Sequence, residues 1–147
     1  MENVKKIIIP QELFYQLVAH AEATKPNEAV ALIAGKIKDD IAIAKTVYTP
    51  ENIDHSKATF TVDPLILLKI YTEVENQEKQ IIAIYHTHPA PPRPSNTDLS
   101  YMEVNPYIWL ISSTSTPERP KGYFLLSDST LKEVQVEIIR NENISRD

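Results

Sequence analysis

The stretch Ile81 to Pro89, IIAIYHTHP, leaves the chain little choice of architecture. A run that is apolar at every position from Ile81 to Tyr85 cannot leave one face in water, so it is expected to be a central strand with both faces covered. Pro89 then ends the strand, because proline cannot donate to a ladder. Upstream, Asp63 and Pro64 supply a cap and a first helical residue, and Leu67, Ile70, Tyr71 and Val74 fall on one face of a helix reaching about Lys79. A helix feeding a central strand belongs to an α/β or α+β domain with a mixed sheet between helices. In open sheets of that class, sites form at the carboxyl ends of strands. This chain places His86 and His88 there.

Side chains at i and i+2 on a strand project from the same face, so the two imidazoles can point at one ion. A proline-rich loop follows, and then Ser95-x-x-Asp98, the form of a helix start with a serine cap and an acid three residues on. That start would return the Asp98 carboxylate towards the histidines. Each part has a plainer reading: His-x-His as two polar strand residues, Ser-x-x-Asp as a capping box alone. Together, two imidazoles and a carboxylate make a three-ligand zinc site with one position left open.

Composition narrows the possibilities further. A chain of 147 residues fits one domain, expected over residues 1–140, with a frayed tail at 141–147. With no cysteine there is neither a disulfide framework nor a thiolate ligand, so a metal must be held by His, Asp or Glu. The net charge of -5 argues against nucleic acid as the main partner. No apolar run approaches the roughly 20 residues of a membrane span. The three-isoleucine run before Pro10 is too short for a signal peptide. A cytoplasmic location is therefore expected.

Along the chain, Val4 to Ile9 reads as a strand, and Phe14, Leu17, Val18 and Ala21 as the packed stripe of a helix. His20 is expected at that helix's boundary with solvent. Glu28 heads an otherwise apolar segment running to Gly35, whose periodicity fits a helix end or a central strand equally. Glu28 is either a solvated flank residue or, if the segment lies beside the histidine strand, a partly buried carboxyl with a raised pKa suited to carrying protons. Lys36 to Asp40 reads as a hairpin turn, Ile41 to Tyr48 as a strand, Thr49 to Lys57 as a solvated loop containing His55, and Phe60 to Val62 as a short strand. After Asp98 a short helix to Val104, strands at Tyr107 to Ile111 and Tyr123 to Leu126, and an edge or one-sided strand at Val134 to Ile138 complete the order.

Glu28, His86-Thr-His88-Pro89 and Ser95-x-x-Asp98 together resemble the signature of the JAMM, or MPN+, metalloprotease family. The likeness runs from about Ile7 to Leu126: PNEAVALIAGK is similar to the family's glutamate segment, FTVDPLILLKIY to its central helix and IIAIYHTHP to its histidine strand. Two details depart from the common pattern: Ala31 stands where glycine is frequent, and the Pro89 to Ser95 loop is one residue short.

The resemblance implies a minimal, prokaryotic-type domain with a cytidine-deaminase-like three-layer arrangement. It also implies roles. His86, His88 and Asp98 would bind one Zn2+ per chain, Glu28 would act as base and then acid, and Ser95 would donate a hydrogen bond to the oxyanion. Thr87, turned away from the metal, would pack or support. The implied substrate is a ubiquitin-like protein, cut at the amide bond after its C-terminal Gly-Gly, with specificity resting on a strand edge or on the loops Thr49 to Lys57 and Ser112 to Pro120. Other readings are a non-catalytic scaffold and a peptidase trimming a sulfur-carrier protein. A zinc deaminase of the P-C-x-x-C type is excluded by the missing cysteines.

Overall fold

The computed structural model describes residues 1–140; the tail expected to fray, 141–147, lies outside them. In chain order the elements are β1 (Lys6–Pro10), α1 (Gln11–Thr24), β2 (Val30–Lys38), β3 (Ile41–Tyr48), α2 (Pro64–Asn76), β4 (Gln80–His88), α3 (Asn96–Val104), β5 (Ile108–Ser113), β6 (Lys121–Leu125) and β7 (Leu131–Ile139). They form one mixed α/β domain.

The apolar run becomes β4, buried at every position after Gln80 and flanked by β2 antiparallel and β5 parallel. The ambiguous segment after Glu28 is a strand. Its alternation assigns the two faces: Ala31 and Ile33 join a cluster with Leu17 and Ala21 of α1, while Leu32 and Ala34 pack with Ile70 and Val74 of α2. A helix end could not have served both layers. On β4 the pairing with β2 steps from Ala83 to Ile81 opposite Ile33 and Ala34, leaving Ile82 as an extra residue. Ile82 and Ala83 therefore share a face, and the alternation beyond the bulge directs Ile84, His86 and His88 to the layer of α2 and α3.

The sheet order is β1-β3-β2-β4-β5-β6-β7, and β1 also pairs with β7 in parallel, so the sheet closes into a barrel. The segment expected as an edge or one-sided strand lies in β7, which pairs with β6 over Leu131 to Val134 and with β1 over Gln135 to Ile139.

Two further expectations change. Helix α2 stops at Asn76, because Glu78 turns the chain with a positive φ of 58° and the Lys79 N–H bonds back to the Val74 carbonyl at 3.1 Å. Residues 60–62 form no strand: the Thr61 N–H donates to Asn52 Oδ1 at 3.1 Å, and the Thr61 carbonyl accepts from the Ile53 N–H at 2.9 Å. No helix among the described residues is long and apolar enough to cross a membrane.

Candidate metal centre and active site

The register of β2 and β4 sets the site. Val30 pairs with His86, so the two residues preceding β2 run alongside the histidine end of β4. The Thr87 hydroxyl accepts from the Ala29 N–H at 2.9 Å, and the Thr87 N–H donates to the Ala29 carbonyl at 3.1 Å. Thr87 thus points away from the histidines and ties their strand to the segment carrying Glu28. The result is that Glu28 Oε1 stands 3.5 Å from His86 Nδ1, and only 4% of Glu28 is exposed. The solvated-flank reading of Glu28 does not hold.

Helix α3 supplies the third group. Ser95 caps it: its Oγ accepts from the Asp98 N–H at 3.1 Å, while Asp98 Oδ2 accepts from the Ser95 N–H at 3.0 Å. The capping box and the returned carboxylate are one structure. Asp98 Oδ1 lies 3.1 Å from His86 Nε2 and Oδ2 lies 3.5 Å from His88 Nε2. One ligand atom from each of His86, His88 and Asp98 can be chosen so that all lie within 4.8 Å of one another, and all three residues are buried.

Electrostatics sharpen this arrangement. Burial, and secondarily the Asp98 carboxylate, push the Glu28 pKa up to about 8. For Asp98, burial acts upwards, but the hydrogen bond and charge of His86 and the two bonds to Ser95 outweigh it and hold the carboxyl below its usual range. Two acids a short distance apart thus have opposite protonation preferences, the condition for one to carry protons while the other stays an anion.

The donor set suits a metal ion. His86 Nδ1 and His88 Nδ1 are buried without any hydrogen-bond partner, which a protein interior seldom tolerates. His88 Nε2 is 3.0 Å from the Arg93 carbonyl, an acceptor only. Two imidazoles with unclaimed nitrogens beside an ionised carboxylate are chemistry for a divalent cation.

The cleft over these groups encloses about 240 Å³ and is lined by Glu28, Phe60, His88, Ser95, Asp98 and Tyr101 among others. Ser95 is exposed at its rim. Because its oxygen accepts from the Asp98 N–H, its hydroxyl hydrogen is left for a group in the cleft.

Two participants were not legible in the chain. Phe60 packs against His86 with ring centroids 4.7 Å apart and the planes tilted by 46°, and it forms a wall between the cleft and an apolar cavity of about 280 Å³. Asn52, 4% exposed, sits in the stretch expected to be a solvated loop. A polar loop such as TPENIDHSK carries no signal that distinguishes its buried member. His55 does remain exposed, 3.1 Å from Glu51, and half-buried His20 bonds to the Val30 carbonyl at 3.1 Å; neither belongs to the His86, His88 and Asp98 group.

Comparisons with known proteins agree with this geometry. The family profile described as prokaryotic homologs of the JAB domain matches residues 10–124. The chain is 28% identical over 131 residues to a desampylase of Pyrococcus furiosus, covering 88% of this chain and 89% of that protein. It is 26% identical over 139 residues to a CysO-cysteine peptidase of Mycobacterium bovis, covering 93% and 94%. A solution structure of a Desulfitobacterium hafniense protein superposes with a TM-score of 0.79 at 27% identity, over 92% of this chain and 94% of that one.

Proposed function

Because the chain belongs to the prokaryotic homologs of the JAB domain, the JAMM-like family its motif resembles, we propose that it is a zinc-dependent peptidase or isopeptidase. Its substrate is a ubiquitin-like protein or its conjugates, hydrolysed at the amide bond after the C-terminal Gly-Gly. The observation that carries the reading is the buried His86, His88 and Asp98 group with Glu28 Oε1 3.5 Å from His86. The relatives' names point the same way, since one is a desampylase and another a CysO-cysteine peptidase.

His86, His88 and Asp98 would hold the ion. A zinc ion there supplies Lewis acidity, making water nucleophilic near neutral pH and polarising a carbonyl. The protein's own groups do the rest. Glu28 takes the proton from the attacking water and delivers it to the departing amine, a task suited to a carboxyl whose pKa is raised to about 8. The Ser95 hydroxyl, free to donate, stabilises the carbonyl oxygen as it becomes an oxyanion, a contact of a kind commonly worth about 3 kcal/mol. Phe60 closes one side of the cleft and limits water. A cleft of about 240 Å³ favours a thin tail such as Gly-Gly.

The test is a panel of ubiquitin-like fusions offered to the zinc-loaded protein. Cleavage after Gly-Gly by the parent, lost in Glu28→Gln and His88→Ala, supports the reading. Equal turnover when bulky residues replace Gly-Gly refutes the substrate assignment. Failure on every fusion with metal bound leaves the scaffold reading. The CysO-cysteine peptidase relative favours a second substrate, a sulfur-carrier protein extended by cysteine, and that adduct belongs in the panel.

A further inference from the structure

Asn52 is a buried asparagine whose amide uses its full bonding capacity. Its Nδ2 donates to the Glu28 carbonyl and to the Thr59 carbonyl, both at 3.0 Å. Its Oδ1 accepts from the N–H groups of Asp54 and Thr61, both at 3.1 Å. Two donors facing carbonyls and one oxygen facing two N–H groups fix the orientation of the amide, and no other side chain offers that combination at that length.

The partners are the telling part. Thr59 and Thr61 bracket Phe60, the residue whose ring packs against His86. Glu28 precedes β2, so no ladder holds its backbone. Its carbonyl goes to Asn52, and its N–H goes to the Ser56 carbonyl at 2.7 Å, in the same loop. Both backbone groups of Glu28 are therefore committed to the loop between β3 and α2. On the other side, Thr87 holds only the next residue, Ala29.

We propose that Asn52 is a positioning residue that sets Glu28 and the Phe60 wall as one unit through a single amide. The proposal deepens the proteolytic reading and rests on it for the role of Glu28. A shift of the Glu28 backbone moves the carboxyl relative to His86, and small misplacements of a reacting group cost large factors in rate. Asn52 would act on turnover, with little effect on the metal ligands, which stand on β4 and α3.

Asn52→Asp tests this, since it keeps the acceptor oxygen and removes the donor to Glu28 and Thr59. In the zinc-loaded variant, kcat for a Gly-Gly fusion is expected to fall about 10- to 100-fold with KM within about twofold. Zinc content should stay at the parent's value. Amide exchange at Glu28 should accelerate at least about tenfold while exchange in β4 is unchanged. Asn52→Ala should show the same exchange pattern without introducing a charge.

Parent-like kcat and parent-like exchange at Glu28 in both variants overturn the proposal. So does a general loss of protection with loss of zinc, which would make Asn52 a structural residue only. If the parent cleaves no fusion, the proteolytic reading fails, and exchange at Glu28 still decides whether Asn52 holds it.

Discussion

Ser95 and Asp98 are joined by two reciprocal hydrogen bonds, 3.0 and 3.1 Å long, so the start of helix α3 and the placement of the carboxylate that faces His86 and His88 are the same event. Ser95→Ala removes one of the pair and the hydroxyl donor together. Loss of a cap costs about 1 kcal/mol, visible as a modest fall in Tm. Loss of the donor to the oxyanion should lower kcat about 100-fold. Measuring Tm and kcat with zinc content held equal separates the two; a change in Tm alone would remove Ser95 from the reaction.

The proposed ligand set of His86, His88 and Asp98 predicts a sharp contrast between two variants. His88→Ala should hold no zinc, because it removes one of three donors. Glu28→Gln should hold zinc and be inactive. Chelation of the parent should abolish cleavage and lower Tm, with a stability loss of about 2.7 kcal/mol relative to metal at a hundredfold its Kd. Elemental analysis beside calorimetry checks this, and zinc retained by His88→Ala would contradict the ligand assignment.

Without metal, Glu28 should make stability depend on pH. Its folded-state pKa is about 8 against an ordinary 4.5, so between those values the folded chain keeps a proton that the unfolded chain has released. Stability is fully present below the lower value and falls as pH rises towards the upper one. Asp98, held below its ordinary 3.8, has the opposite sign, and its contribution is lost only as pH falls below that value. In chelator, denaturation at pH 5 and at pH 8 should show the parent losing at least about 1.4 kcal/mol more than Glu28→Gln, since one pKa unit is worth that much. Equal slopes would refute the environment described for Glu28.

Gly35 lies where the pairing of β2 with β3 shifts register, and a Cβ there would sit 1.9 Å from the Ile43 carbonyl oxygen. Backbone must move to admit it. Gly35→Ala should therefore destabilise by about 3 kcal/mol, near the upper end of overpacking costs. Chemical denaturation gives the value, and a change below about 0.5 kcal/mol would show that β3 yields easily.

The parts of the site that could be read from the chain are those with local signatures. His86 and His88 share a face because strand periodicity is two, and Ser95 caps Asp98 because that spacing closes a box. Glu28 was half legible: its apolar surroundings were plain, but which strand it lies beside depends on the pairing of Val30 with His86. Asn52 and Phe60 were not legible. Their importance comes from bonds and contacts made across the fold, and nothing in the surrounding loop sequence distinguishes them. The bulge at Ile82 was likewise hidden, since a uniformly apolar run has no alternation to interrupt.

The parallel pairing of β1 with β7 has a consequence for how the protein is made. Lys6 takes Gln135 as its partner, so a strand translated near the beginning waits for one translated near the end. During synthesis the nascent β1 can find β3 but keeps one flank bare until the last strand has emerged. The vulnerable period of this chain is thus the interval in which its first strand is on show to chaperones, proteases and other nascent copies.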